Sequence, residues 1–516
     1  MGCIERGPTA PFRHWRARTA ITSRQIRRPA RRSSRGRTRA VRRGDETLGA
    51  ITPSATRLEH LTSEDAEILS LEAGPIAGHT LKVVIAERPP LEGDDLLAAL
   101  RERVAGGVAL TPRARERLAP TPLGLAPPAW VYDTDFDVGR HVRRAPATGG
   151  GEDALLATVA RSMVERLDRR YPLWTVELVE DLERDRVAYL LKVHHCMADG
   201  IASMRLGAEL VWEENAETPE SAACSPRGAA TAPGKAALLA SGLRERARSL
   251  GATVSAALTT LLSSRGRRAA ESELGRLPST VRREVRPSRT LSPLDTPIGR
   301  RRTVAFVSWS LEDVKRAGHR HGATVNDVLL AAVGGGLRGW LLARGEVLPD
   351  LRVKVPVSMH DPDEGPAALG NRDSFFFVDL PLDEPDPHRR LEAIRGETAE
   401  RKRAHDAETL YLLFNDLAHV SKRIYRRANA IAGTPGVFSL CVSNVPGPPG
   451  HLSVLGGAIA EMHSLAEVGD RHGLRVSAMS YAGNVSLALC ADPAAVEDLG
   501  VLAAAMRDTL AELTSG

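Results

Sequence analysis

Apolar positions along the chain follow two different periods. From Val187 to Val193 the run V-A-Y-L-L-K-V is rich in β-formers, with Lys192 its only charge, and predicts a buried or half-buried strand. It runs straight into His194-His195. From Gly200 onward, Ile201, Met204, Leu206, Leu210 and Val211 recur at helical spacing. Upstream, Thr62 or Ser63 caps a short helix with acids in its first turn, and a Gly-Pro turn then leads to a strand near Val84. Leu96 to Val104 reads as a helix, Trp130 to Arg144 as strand and turn, and Leu155 to Leu167 as an amphipathic helix. Tyr171-Pro172-Leu173-Trp174 begins a strand running to Val179.

The pattern fades from Glu213 to about Pro297, which is rich in Ala, Ser, Pro and Arg. Within it, Lys235 to Ser264 alternates small apolar residues with Arg244, Arg246 and Arg248. That spacing fits amphipathic helices lying on a membrane surface and, equally, a solvated crossover helix. Regular structure restarts at Arg300 to Ser310, a strand followed by a helix from Leu311 to His319. Thr324 is an N-cap with Asp327 three positions on, close to a capping box. Gly334-Gly335-Gly336 inside that helix implies close packing or a ligand passage, since each Gly costs about 1 kcal/mol relative to Ala. Leu351 to Ser358 reads as a strand, and Gly370-Asn371 with Phe375 to Leu380 as another. Phe438 to Gly450 runs from a strand into a rigid Pro-rich turn, which Asn444 is placed to cap. Leu474 to Ser480 and Asn484 to Cys490 form a hairpin, and Pro493 to Leu513 closes the chain as a helix.

Composition sharpens the picture. A chain of 516 residues, 42 % hydrophobic, is long enough for two domains. No run approaches the roughly 18 apolar residues of a membrane span. Five scattered cysteines without C-x-x-C spacing argue for a reducing compartment and against zinc. The net charge of +6 is concentrated: Met1 to Gly44 holds fourteen arginines and one acid, a net +13, so the remainder carries −7. Residues 1–56 therefore read as a disordered leader. It suits nucleic acid or anionic lipid, or a targeting role without the apolar core of a secretory signal. The body reads as complete without it, which favours a start further along, at a position such as Val41 or Leu48.

The chemistry concentrates where the strand meets the helix. A neutral imidazole at a strand end has a fixed direction and accepts a proton near pH 7, which suits His195 as a general base. Asp199, four residues on and followed by Gly200, is placed to order its own loop through backbone N–H groups or an Arg. A structural pair of histidines is the plainer reading. A metal pair is disfavoured, because neighbours on a strand point opposite ways and no third His or Cys lies at ligand spacing. By the same alternation Cys196 faces away from His195. Lys192, the nearest cation, reads as solvent-facing. His141, between arginines, reads as structural or surface.

His194 to Gly200, H-H-C-M-A-D-G, resembles the active-site motif of the acyltransferase superfamily that includes chloramphenicol acetyltransferase and peptide-synthetase condensation domains. Three further blocks, L-T-S-E-D-A-E-I-L-S-L-E from Leu61, W-V-Y-D-T-D-F-D-V-G-R-H-V-R-R from Trp130 and L-D-R-R-Y-P-L-W from Leu167, resemble the bacterial wax ester synthase/diacylglycerol acyltransferase family. Asn326-Asp327 matches that family's N-D motif, and Ser443 to Pro448 its S/T-N-V-P-G-P. His360 stands where the family usually has Arg.

The resemblance implies an α/β fold of the α+β type, chloramphenicol-acetyltransferase-like. Two lobes of mixed or antiparallel sheets, residues 57–215 and 300–516, would flank the active site, joined by a crossover at 216–299. It implies transfer of a long acyl chain from acyl-CoA, a co-substrate rather than a cofactor, to diacylglycerol first and fatty alcohol second. His195 would be the base, with His194, Asp199 and Gly200 shaping its loop. Pro172, Leu173, Trp174, Asn326, Asp327 and Asn444 become candidate substrate-binding or tunnel positions. The expected setting is cytoplasmic, peripheral on a membrane or lipid droplet, with no specific nucleic acid and no metal. Two other classes stay open: a condensation-type acyltransferase fed by carrier-protein thioesters, and a non-catalytic protein that binds anionic surfaces through the leader.

Overall fold

Thr62 accepts the backbone N–H of Asp65 and opens helix α1 (Ser63–Leu71), whose first turn carries Glu64 and Asp65. Gly74 and Gly78, both at positive φ, turn the chain into β1 (His79–Glu87). There follow α2 (Gly93–Leu110), the ribbon β2 (Glu116–Ala119) and β3 (Ala129–Tyr132), the single turn α3 (Val138–His141), and β4 (Val142–Arg144). Then come α4 (Gly151–Val164), β5 (Trp174–Leu182), β6 (Arg186–His194), α5 (Gly200–Leu210) and β7 (Glu213–Glu214). The middle of the chain contributes α6 (Lys235–Leu262) and a further helix, α7, over residues 275–284. The second half runs through β8 (Thr303–Ser310), α8 (Leu311–His321), α9 (Val325–Ala343), β9 (Asp350–Ser358), β10 (Asp373–Pro381), α10 (Pro387–Ala404), α11 (Asp406–Val420) and α12 (Lys422–Ala432). It closes with β11 (Leu440–Pro446), β12 (Leu452–Val454), β13 (Gly457–Ala466), β14 (Leu474–Tyr481), β15 (Asn484–Ala491) and α13 (Leu499–Ser515). This computed structural model describes residues 58–91, 93–146, 149–214, 233–262, 275–287, 292–359 and 371–515. The leader, Ser264, His360 and Gly370 lie outside them.

Two mixed sheets with helices against them make up the compact unit Leu58–Gly516. Among the described residues the first sheet has the order β4-β5-β6-β1-β13-β12-β7 and the second β10-β9-β11-β14-β15-β8. β4 runs parallel to β5, and β11 runs parallel to both β9 and β14, while the remaining neighbours are antiparallel. The sheets do not divide as the halves of the chain do. β12 and β13 come from the second half and complete the first sheet, so β1 lies between β6 and β13.

Alternation along the strands separates the cores. Val476 and Ala478 of β14 pack with α9 and α13 on one face of the second sheet, whereas Met479 and Tyr481 join the cluster holding α2, α5 and the loop after His195. A third cluster, including Leu81, Val83, Ala488 and Cys490, bridges β1 and β15 and so ties the sheets together. Gly334 to Gly336 are all buried. A Cβ on Gly335 would collide with Thr509 and one on Gly336 with Met506, so these glycines serve the close approach of α9 to α13. Helix α6 does not lie free at its start: Leu238 packs with Ala119, Ala129 and Val131, and the Ser241 hydroxyl lies 3.2 Å from His60 Nε2. Helices α10 to α12 escape the periodic reading. α10 is dominated by charged residues, and its buried Arg401 pairs with Glu397 one turn earlier on the same helix and with distant Glu284.

Candidate active site

The two histidines stand on either side of the end of β6. His194 is its last residue, paired in register with His79 of β1, and donates its backbone N–H to the Leu173 carbonyl at 2.9 Å. The His195 N–H donates to the Gly78 carbonyl, also at 2.9 Å. Gly78 has φ +70°, and a Cβ there would stand 2.8 Å from His194 Nε2, so the turn before β1 approaches the histidine ring only because it has no side chain. Glu467 accepts the backbone N–H groups of Ala77 and Gly78 and holds that turn from beyond the end of β13.

His194 has both ring nitrogens committed. Nδ1 accepts the Cys196 backbone N–H at 3.1 Å, so Nε2 carries the proton and donates to Glu72 Oε2 at 3.0 Å. Burial alone would push the Glu72 carboxyl up. The hydrogen bonds from His194 and Arg169 outweigh it and hold the group below the ordinary carboxylate range. Arg169 contacts Glu72 at 2.7 Å and Arg166 at 3.5 Å, which completes a clamp on the fully buried imidazole.

His195 is held differently. Its carbonyl accepts Asn371 Nδ2 at 2.6 Å, and the same amide donates to Asp65 Oδ1 at 2.5 Å. The backbone is thus pinned on both sides while the half-buried ring is not. Nδ1 is buried without a partner, which leaves Nε2 as the nitrogen at the accessible edge. Burial drives the imidazole pKa down to about 4. The Arg475 charge adds to the shift, Asp199 opposes it, and neighbouring His194 and Lys82 depress it further. At neutral pH the ring is therefore an unprotonated acceptor.

The loop that follows turns back on the strand, with the Met197 N–H donating to the His194 carbonyl at 2.9 Å. Asp199 is buried and caps α5, accepting the Ala202 N–H at 2.8 Å. A Cβ on Gly200 would stand 2.7 Å from Val445 Cγ2, so the start of α5 reaches β11 only through glycine. Lys82 of β1 donates to Ser464 Oγ at 2.7 Å, and burial pushes its ammonium down to about 8 against the opposing charge of Asp199.

Of the other positions singled out from the sequence, Leu173 meets the strand end through its backbone, its carbonyl accepting the His194 N–H. Pro172, Leu173 and Trp174 are buried, and the Trp174 indole N–H already donates to the Ala114 carbonyl at 2.7 Å. His141 stacks on that indole and bonds the Trp174 carbonyl through Nδ1 at 2.7 Å; it is an interior residue, not a surface one. Asp327 spends its carboxylate on the capping box with Thr324 and on the Thr398 hydroxyl at 2.8 Å, beside a half-buried Asn326. Asn444 is exposed within β11 rather than capping the turn beyond it.

Lys192 corrects a sequence expectation. It is buried, not solvent-facing, and donates to the Ser162 and Glu165 carbonyls at 2.9 and 3.1 Å, because α4 covers that face of an interior strand. Cys196 is buried in the apolar cluster, and burial pushes its thiol far up, away from thiolate. Cys196→Ala is expected to retain most of the turnover, with initial-rate plots that intersect; parallel plots with a trapped acyl-Cys196 would contradict this.

Glu72, Asn371, Lys82, Glu467 and Arg475 were not read as site residues from the sequence. Only Glu72 carried a local signal, ending the L-T-S-E-D-A-E-I-L-S-L-E block just past α1.

Comparison with known proteins bears on this arrangement. Residues 61–329 match the wax ester synthase/diacylglycerol acyltransferase catalytic domain, and residues 369–514 match the C-terminal domain of the same family. Two Mycobacterium tuberculosis proteins assigned as diacylglycerol O-acyltransferases are each 30 % identical. One aligns over 90 % of this chain and 91 % of its own, the other over 89 % and 96 %. In structure, the wax ester synthase/diacylglycerol acyltransferase of Marinobacter aquaeolei VT8 superposes with TM-score 0.62 at 23 % identity, covering 88 % of this chain and 98 % of that one. The first condensation domain of the calcium-dependent antibiotic synthetase does so at 0.57 and 18 %, covering 90 % and 97 %. Both likenesses establish the chloramphenicol-acetyltransferase-like fold.

Proposed function

The chain belongs to the wax ester synthase/diacylglycerol acyltransferase family, and from that premise we propose that it moves a long-chain acyl group from acyl-CoA to the hydroxyl of diacylglycerol, and secondarily to a long-chain alcohol. His195 is the general base. The observation that carries this is its ring: neutral at physiological pH, pinned through its backbone, with Nε2 accessible and no structural hydrogen bond to break. His194, by contrast, has no nitrogen to spare.

In the proposed reaction Nε2 takes the acceptor's hydroxyl proton as its oxygen attacks the thioester carbonyl. The tetrahedral intermediate then collapses, the C–S bond breaks, and the thiolate leaves with the proton returned from the imidazolium. Every proton is accounted for and no acyl-enzyme is required. Asp199 and Gly200 hold the loop that aims the base, through the α5 cap and the contact with Val445. Because the acceptor is lipid, the protein would work peripherally at a membrane or lipid-droplet face in the cytoplasm. No helix among the described residues is long and apolar enough to cross a membrane.

The test is purified protein with labelled palmitoyl-CoA, offered diacylglycerol and hexadecanol side by side. Labelled triacylglycerol in excess over wax ester is expected. No product with either acceptor, and product only when the acyl group arrives on a carrier-protein thioester, would favour a condensation-type reaction instead.

A further inference from the structure

Oxygen attack on a thioester creates an oxyanion, and the residues around His195 described so far offer it no assigned donor. One group in the fold is built for the task. Alternation along β14 turns Val476 and Ala478 toward the helices of the second sheet, so Arg475, Ser477 and Met479 occupy the other face. On that face Met479 packs in the cluster that holds Cys196, Met197 and Ala198, the residues following His195. Arg475 therefore lies on the side of β14 turned toward the histidine loop. In register it belongs to a row running Lys354, Cys441, Arg475, Cys490 across β9, β11, β14 and β15.

Arg475 is distinctive for what it lacks. Exposed Arg143 and half-buried Arg161 and Arg283 each pair with a buried carboxylate, and buried Arg401 pairs with buried Glu284 and half-buried Glu397. Lys354, in the same row, sits 4.1 Å from the centre of the Phe375 ring. Arg475, only half-exposed, makes no hydrogen bond, ion pair or ring contact among the described residues, and its Nε is buried without a partner. A partly buried guanidinium without a counter-ion is less well stabilised in the empty protein than a paired one, and it gains a partner when an anion arrives. Its fork of planar donors suits an oxygen anion.

We propose that Arg475 is the oxyanion-stabilising residue, contacting the former carbonyl oxygen of the thioester while His195 holds the acceptor's proton. This rests on the reading of His195 as base. The shared chemistry, an anionic oxygen, has a second source in the donor's phosphates. The placement of Arg475 beside the histidine loop favours the reacting centre, where the charge develops.

The experiment compares wild type, Arg475→Met and Arg475→Lys with palmitoyl-CoA and with palmitoyl N-acetylcysteamine thioester, which carries no phosphate, across pH. Arg475→Met should lose about 10²–10³-fold in kcat with both donors, with KM little changed, as for removal of one oxyanion donor. The groups whose charge acts on the His195 imidazole are Arg475, Asp199, His194 and Lys82. Losing the Arg475 cation should move the acid limb of kcat/KM to higher pH, whereas Arg475→Lys should keep the limb near its place and restore part of kcat. A merely structural role would leave that limb unmoved. An unchanged kcat in Arg475→Met overturns the proposal, as does a loss confined to the phosphate-bearing donor and expressed in KM. If Arg475→Met does not fold, Arg475→Lys decides: full wild-type kcat with both donors, despite the lost fork, counts against the proposal. His195→Ala assayed in parallel separates the two readings, since full activity there removes the base and leaves the Arg475 comparison standing.

Discussion

His195→Ala should lower turnover with palmitoyl-CoA and diacylglycerol by about 10²–10⁴-fold, the usual weight of a positioned general base. The fold should survive, because the imidazole contributes no side-chain hydrogen bond: Nδ1 is unpartnered, and the contacts that pin the residue belong to its backbone. The sign of the stability change follows from the pKa. In the folded protein the group titrates near 4, below its ordinary value of 6.5, so between these values the unfolded chain binds the extra proton. Wild type should therefore lose stability as pH falls through that window, and His195→Ala should be spared that loss. Melting curves at pH 7 and pH 5, alongside kcat at pH 7, check both halves. A variant with wild-type turnover would remove the base from the mechanism.

The second large effect is expected at Glu72, 122 residues before its partner in sequence. Glu72→Ala strands the buried His194 Nε2–H and releases Arg166 and Arg169 from their shared carboxylate. An unmet buried donor costs about 1–3 kcal/mol. Turnover should fall as well, about 10- to 100-fold, since His195 is covalently next to the loosened ring and small displacements of a catalytic group are expensive. The folded-state pKa of Glu72 is depressed. Its stabilisation is therefore present above the ordinary value of 4.5 and is lost as pH falls through the folded value. The gap in melting temperature between wild type and Glu72→Ala should narrow at acid pH. Equal kcat in the two proteins would mean that the clamp on His194 does not orient the base.

What the chain states locally, it states well. The strand ending at His194, the cap at Thr62, the capping box of Thr324 and Asp327 and the final hairpin all rest on hydrogen bonds and periodicities spanning a few residues. Those signals need no knowledge of the rest of the molecule. The H-H-C-M-A-D-G string is equally compact, and the family that the blocks from Leu61, Trp130 and Leu167 resemble is the family whose domains match. The tertiary structure alone decided which distant groups meet that string. Asn371 reaches the His195 carbonyl across 176 residues, and Glu467 grips Gly78 across 389. Lys192, an ordinary-looking strand charge, proved to be sealed beneath α4. Arg475 falls on the face of β14 turned toward the histidine loop only because alternation along that strand sends Val476 and Ala478 the other way. Such meetings depend on strand register and on how the two sheets pack, and a one-residue slip in β1 or β14 would send every one of their side chains to the opposite face. Local pattern sets which faces are apolar; the pairing that brings two faces together is a property of the whole fold.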